Sequence, residues 1–253
     1  MSEKHYDIHY LEDTFKIMKD IKDYSYRHFS DIEYGTIVDL GCGTGKDVIN
    51  MAALSPKAEF IGIDHDPKMI EQADAQKSDL QNVSFIEGEI SPLPFNDDSI
   101  AGIRAERVFQ HLQQPDRVLE EINRALMPDH PFVIVETDWD SISFYNAEIV
   151  TEQKIRAYLA ESKVAQGKIA KQLTHRLAGH LFRNIRLEVF PVVLHSFQDA
   201  CTYLWIDKIA EEMAYKGFLS QGQHDLFIDA LKNADTEGYF ACSINIATTF
   251  CVK

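Results

Sequence analysis

Three stretches of this sequence carry residue types that could do chemistry. The first is Asp39-Leu40-Gly41-Cys42-Gly43-Thr44-Gly45, which follows the apolar run Thr36-Ile37-Val38. Alternating glycines allow positive φ and let a ligand approach the main chain. A dinucleotide fold would space them GxGxxG, with a pyrophosphate on the helix N-terminus. Here they fall at 41, 43 and 45, with Lys46 and Asp47 next. The second is Asp64, at the end of Phe60-Ile61-Gly62-Ile63 and about twenty residues past the glycines. A carboxylate at such a strand end can accept hydrogen bonds from both hydroxyls of a ribose. Capping the helix that begins at Pro67 suits Asp66 better. The third is Glu87-Gly88-Glu89-Ile90, where a strand ends, a glycine turns, and an acid and an apolar residue follow. That acid can accept from an adenine amino group, and the next backbone N–H can reach a ring nitrogen.

The elements that must position these residues alternate. Gaps of three and four among Ile8, Leu11, Phe15, Met18, Ile21 and Tyr24 predict an amphipathic helix over 8–29. Strands are expected at 36–40, 60–63, 83–86, 99–105 and 132–135, with helices to about 54, over 67–78 and over 116–126. Strict βαβ alternation implies an α/β fold, a parallel sheet with helices on both faces. After Asp140 the rhythm changes. Residues 146–182 read as helical and polar, and 185–194 as a strand that Pro191 marks as an edge or a bulge. Helices follow at about 197–216 and 220–233, and a last strand runs over 239–252.

The chain has 253 residues, 45% hydrophobic and 26% charged, ordinary for a globular protein of one large domain. Its net charge of −15, with no Lys/Arg run, speaks against a nucleic-acid substrate. Cys42, Cys201, Cys242 and Cys251 form no CxxC pair and accompany no zinc spacing, so free thiols, no metal and a reducing cytoplasm are expected. The N-terminus lacks an apolar signal segment, and no apolar run approaches a membrane span.

Together the three stretches resemble the class I S-adenosylmethionine-dependent methyltransferases, in the small-molecule branch of the ubiquinone and menaquinone biosynthesis enzymes. That branch carries D-x-G-C-G-T-G, as at 39–45, and G-x-D, as at 62–64. Its third loop, G-D-A-x-x-L-P-F, appears as Gly88-Glu89-Ile90-Ser91-Pro92-Leu93-Pro94-Phe95, with Glu for Asp. Its "RvLkPGG" appears as Arg124-Ala125-Leu126-Met127-Pro128-Asp129-His130, without the Gly-Gly, so an altered turn is expected there. The resemblance covers residues 27–140 motif by motif. It implies a Rossmann-like sheet of seven mostly parallel strands with the last antiparallel. It also implies one methyltransferase domain over 1–253, a cofactor core over 30–140, and helical lid additions at 141–182 and 197–235. Gly41, Gly43 and Thr44 would then line the methionine and ribose side. Asp64 would hold the ribose, Glu89 and Ile90 the adenine, and Glu106 would face the cofactor. Arg27 could reach the methionine carboxylate, and Tyr6 and Tyr10 could fold over the cofactor.

A sulfonium is already a good leaving group, so such an enzyme mainly aligns the acceptor and excludes water. No catalytic residue is required, and none is assigned. His111 is the candidate base, although packing explains it as well. Arg107 and Gln110 could orient a substrate, and Trp139 could form an aromatic wall or pack the lid. The alternatives are a cofactor-binding protein without turnover, a protein or RNA methyltransferase, and a nicotinamide-dependent oxidoreductase.

Overall fold

A computed structural model describes residues 17–77 and 79–253. Tyr6 and Tyr10 lie outside the described residues. The strands are β1 (Thr36–Leu40), β2 (Glu59–Asp64), β3 (Val83–Glu87), β4 (Ile100–Glu106), β5 (Pro131–Phe144), β6 (Arg183–Leu194) and β7 (Cys242–Val252). The helices are α1 (Lys19–Tyr26), α2 (Lys46–Leu54), α3 (Pro67–Gln76), α4 (Pro115–Ala125), α5 (Ile149–Tyr158), α6 (Ile169–Gly179), α7 (Phe197–Leu204), α8 (Ile206–Tyr215) and α9 (Gln221–Thr236). The strands form one sheet in the order β3-β2-β1-β4-β5-β7-β6. β1 runs parallel to β2 and β4, β2 to β3, and β4 to β5. β7 runs antiparallel beside β5: Tyr145 N–H donates to Ala241 and Asn245 N–H to Ser141 Oγ, so one strand ascends as the other descends. β6 is the edge strand, the place Pro191 suits. The Rossmann-like expectation holds.

The chain divides into two compact units. The first is Asp20–Glu136, Ile169–Val189 and Ala247–Lys253. Its strands alternate faces as their residues predict. Ile37, Phe60 and Val133 bury against Met51, Ile70 and Tyr26 of α1–α3, whereas Val38, Ile63, Phe132 and Ile134 bury against Leu119 and Ile122 of α4 and Leu173 and Leu177 of α6. Each fully buried Ile, Leu or Phe contributes about 1.5–3 kcal/mol. Residues 169–179, expected in the lid, thus form α6 in the core of the first unit.

Local signals set the ends of these elements. Asp66 caps α3, its side chain accepting from Lys68 N–H at 2.9 Å, with Pro67 in the first turn. Arg124 donates to the carbonyls of Leu93 and Phe95, and Glu121 accepts from Leu93 N–H, so α4 pins the loop that follows β3. Where the family pattern has glycine, Asp129 adopts a left-handed φ of 64°.

The second unit is built on Thr137–Lys168 and Phe190–Ile246. Tyr158, Met213 and Phe227 lie in its core, whereas Tyr145, Tyr215 and Phe218 are exposed. The expected helix over 197–216 is two, broken at Trp205 with a φ of 53°. β5 runs on to Phe144, well beyond the short strand expected at 132–135. No helix among the described residues is long and apolar enough to cross a membrane.

α6 ends in a Schellman-type turn: Phe182 N–H donates to Leu177 at 3.1 Å, and Leu181 takes the left-handed position with a φ of 65°. Leu181 is 77% exposed, so its side chain packs little. Leu181→Gly should therefore raise stability by about 1 kcal/mol, because it removes the left-handed penalty of a branched side chain. The urea midpoint should rise with an unchanged slope.

Candidate active site

The chain runs outward through β1, β2 and β3, then returns to place β4 on the other side of β1. That reversal is the switch point at which α/β sheets bind ligands, outside the carboxyl ends of the strands. The loops after β1 and β4 flank it, and both belong to the first unit.

In the first loop Gly41, Gly43 and Gly45 all take positive φ, at 66°, 52° and 76°. A Cβ on Gly41 would lie 2.6 Å from Val108 of the loop after β4, and one on Gly45 would lie 2.4 Å from Phe85. Both glycines are therefore required by conformation and by space. Asp64, at the end of β2, turns back onto this loop. Its Oδ2 accepts from Gly43 N–H at 2.8 Å and its Oδ1 from Asp66 N–H at 3.0 Å. Each oxygen keeps lone-pair capacity for a further donor. Thr44 is buried at the same turn. After β3, Gly88 N–H donates to the Asp64 carbonyl at 2.9 Å, which brings the third loop beside the second. The nearest atom to a Cβ on Gly88 is 3.9 Å away, Glu89 is exposed, and Ile90 is half-buried against the core. A glycine turn in positive φ, a strand-end acid with spare acceptor capacity and an exposed acid one loop further fit an adenosyl group.

Glu106 stands apart from this set. Its carboxylate, 6% exposed, accepts from Lys22 Nζ at 2.5 Å and from Arg104, with Arg107 Nε at 3.6 Å. It belongs to a buried ion cluster that sequence reasoning missed. Arg104, wholly buried on β4, donates to Asp39 Oδ1 and to Ser25 Oγ, both at 3.0 Å, and its guanidinium lies over the Tyr26 ring at 5.2 Å. Asp39 is its direct partner in the β1–β4 register. Lys22 also bonds Asp47, in the first turn of α2, at 2.9 and 3.1 Å, and the Tyr26 hydroxyl donates to the same carboxylate.

The charges respond accordingly. Burial alone would raise Asp47 and Glu106, but Lys22 and Arg104 hold both below the usual carboxylate range. Burial, with Asp47 and Glu106 adding to it, pushes Asp39 up to about 7 despite Arg104. The signal for Lys22 was its spacing. Met18, Ile21, Lys22, Ser25, Tyr26 and Phe29 form the buried stripe of the helix and the turn after it, and a lysine in such a stripe needs a partner. Arg27, one residue past α1, is exposed.

In the loop after β4, Gln110 is buried and its Nε2 lies 3.0 Å from His111 Nε2. The donor hydrogen of the amide then fixes that imidazole nitrogen as an acceptor. Arg107 takes a φ of 54°, and its N–H donates to Val135 at 2.8 Å. Trp139 belongs to the second unit, half-buried against that unit's core, which is the packing role.

Replacing Arg104 by Met would leave Asp39 and Glu106 short of a buried partner. A loss of about 3–5 kcal/mol in unfolding free energy is expected, measured by urea denaturation. A change below about 0.5 kcal/mol would show that the cluster does not hold these elements together.

A methyltransferase-domain family matches residues 33–190. An uncharacterized 37.1 kDa protein from a Streptomyces fradiae transposon is 31% identical over 195 residues, covering 77% of this chain and 56% of that protein. A demethylmenaquinone methyltransferase of Staphylococcus aureus is 28% identical over 109 residues, 43% of this chain and 45% of that one. The chain thus spans about half the length of these relatives. Among solved structures, a phosphoethanolamine N-methyltransferase of Haemonchus contortus in complex with S-adenosyl-L-methionine superposes with a TM-score of 0.58 at 16% identity, covering 92% of this chain and 52% of that one. The match over residues 33–190, on a fold shared with an enzyme that holds the cofactor, establishes that this chain belongs to the methyltransferase-domain family.

Proposed function

We propose that this chain transfers a methyl group from S-adenosylmethionine to a small organic molecule, with the cofactor lying across the loops after β1, β2 and β3. One observation carries the reading above the others: the glycine turn and the strand-end acid share a hydrogen bond, Gly43 N–H to Asp64, beside the switch point of the sheet. When bound, the cofactor supplies a methyl group already activated by a sulfonium leaving group.

The chain's own residues then bind, orient and exclude water. Gly41, Gly43 and Thr44 line the methionine and ribose side, and Asp64 accepts from the ribose hydroxyls. Glu89 accepts from the adenine amino group, while Ile90 offers its backbone N–H. Lys22, held by Asp47 and Glu106, steadies the glycine loop and does not itself contact the ligand. It is the buried cation of α1, bonded to the first turn after the glycine loop, whereas Arg27 points to solvent. Glu106 acts through this cluster by holding Lys22 and Arg104. No side chain is assigned as base, because alignment and desolvation supply most of what a methyl transfer needs. His111, its Nε2 facing Gln110, orients its loop. The net charge of −15 favours a small molecule over a nucleic acid.

Calorimetric titration with S-adenosylhomocysteine tests the cofactor assignment. Micromolar binding is expected for the wild type, weakened about thirtyfold or more, or about 2 kcal/mol, by Asp64→Ala. Absence of binding by either S-adenosylhomocysteine or S-adenosylmethionine would overturn it.

A further inference from the structure

We propose that Glu136 is a positioning residue: its buried carboxyl holds the turn at 107–112 where Val108 presses on Gly41, and so sets the binding form of the glycine loop. The inference rests on the cofactor reading above. Glu136 follows Val135, the register partner of Glu106, at the β5 side of the switch-point loops, and is wholly buried. Its Oε1 accepts from Phe109 N–H at 2.6 Å, and Gln110 N–H also bonds this carboxyl. Its Oε2 is buried with no hydrogen-bond partner.

The turn it grips is under strain, because Arg107 is a non-glycine residue with a φ of 54°, a conformation that persists only where the surroundings impose it. The next residue, Val108, occupies the space that a Cβ on Gly41 would need, at 2.6 Å. A shift of the turn is therefore felt directly by the glycine loop.

A buried oxygen without a protein partner tolerates a neutral carboxyl far better than an ionised one. Burial pushes Glu136 up to about 8. The Phe109 and Gln110 N–H groups oppose burial, as does the Arg107 charge, while Glu106 adds to it. At neutral pH the turn thus closes over an un-ionised acid. The folded carboxyl holds its proton more tightly than the unfolded one. The packed turn is therefore fully favoured below the usual carboxylate range and is progressively lost as pH rises through about 8. Ionisation obliges the turn to open and admit water.

The test is the affinity for S-adenosylhomocysteine from pH 6.5 to 9.5, for wild type and Glu136→Gln. The ligand's own amino group titrates identically in both titrations, so the ratio of the two affinities is the readout. Glutamine keeps a carbonyl acceptor for the two N–H groups and cannot ionise. The wild type should weaken about tenfold more than Glu136→Gln across this range. A second measurement compares the infrared spectra of wild type and Glu136→Gln, because Asp39 also holds its proton near neutrality. The carbonyl band of an un-ionised, weakly bonded carboxylic acid that Glu136→Gln lacks should be present in wild-type protein at pH 6.5 and lost by pH 9.5. Parallel affinity profiles, or no such band at pH 6.5, would overturn the proposal. Absence of binding at every pH would instead sink the cofactor reading.

Discussion

Arg104 occupies a position that a parallel sheet normally gives to an aliphatic residue. It lies wholly inside the first unit, and the elements around the switch point close on it. Asp39 of β1 meets it in register, Glu106 is two residues on along β4, and Ser25 and Tyr26 bring the helix before β1 onto it. Lys22 extends the cluster to Asp47 at the start of α2. A buried guanidinium is costly to desolvate, so its value lies less in net stability than in what it excludes. Any displacement of β1, β4, α1 or α2 leaves a charge unpaired in a dry interior. The glycine loop runs from Asp39 to the residues just before Asp47, so both of its ends are tied to this cluster, one through Arg104 and the other through Lys22.

The same economy governs the site. In the proposed site the groups that would face a ligand are backbone N–H groups and a strand-end carboxylate, on a loop that glycine lets pack closely against Val108 and Phe85. They are held by a layer of charged side chains that do not touch the ligand themselves. Gly43 N–H on Asp64 and Gly88 N–H on the Asp64 carbonyl tie three loops into one surface. Such a surface suits a reaction whose cofactor brings its own leaving group, where fixed geometry matters more than a titrating side chain.

Much of this was legible in the residues. Alternating apolar runs and capping signals placed β1 to β4 and their helices, because local periodicity decides those elements. Asp66 as the cap of α3 freed Asp64 for the loop, as its place at the strand end implied. Asp129 kept the turn where glycine was missing, since Asp tolerates the left-handed region. The buried ion cluster was not legible, because a pairing such as Asp39 with Arg104 depends on strand register rather than on spacing in the chain. Lys22 was readable in principle as a charge in an apolar stripe. In the second unit, aromatic residues at helical spacing did not separate core from surface. Tyr158 and Tyr215 fit the same pattern, yet one is buried and the other exposed. The break at Trp205 had no glycine or proline to announce it.

The most direct test of the account is a crystal structure of this chain grown with S-adenosylhomocysteine. The ribose hydroxyls should lie on Asp64, the adenine beside Glu89 and Ile90, and the methionine end against the glycine turn at 41–45, with Lys22 still bound to Asp47. Ligand density at any other face of the sheet, or a complex in which Asp64 does not touch the ribose, would contradict it.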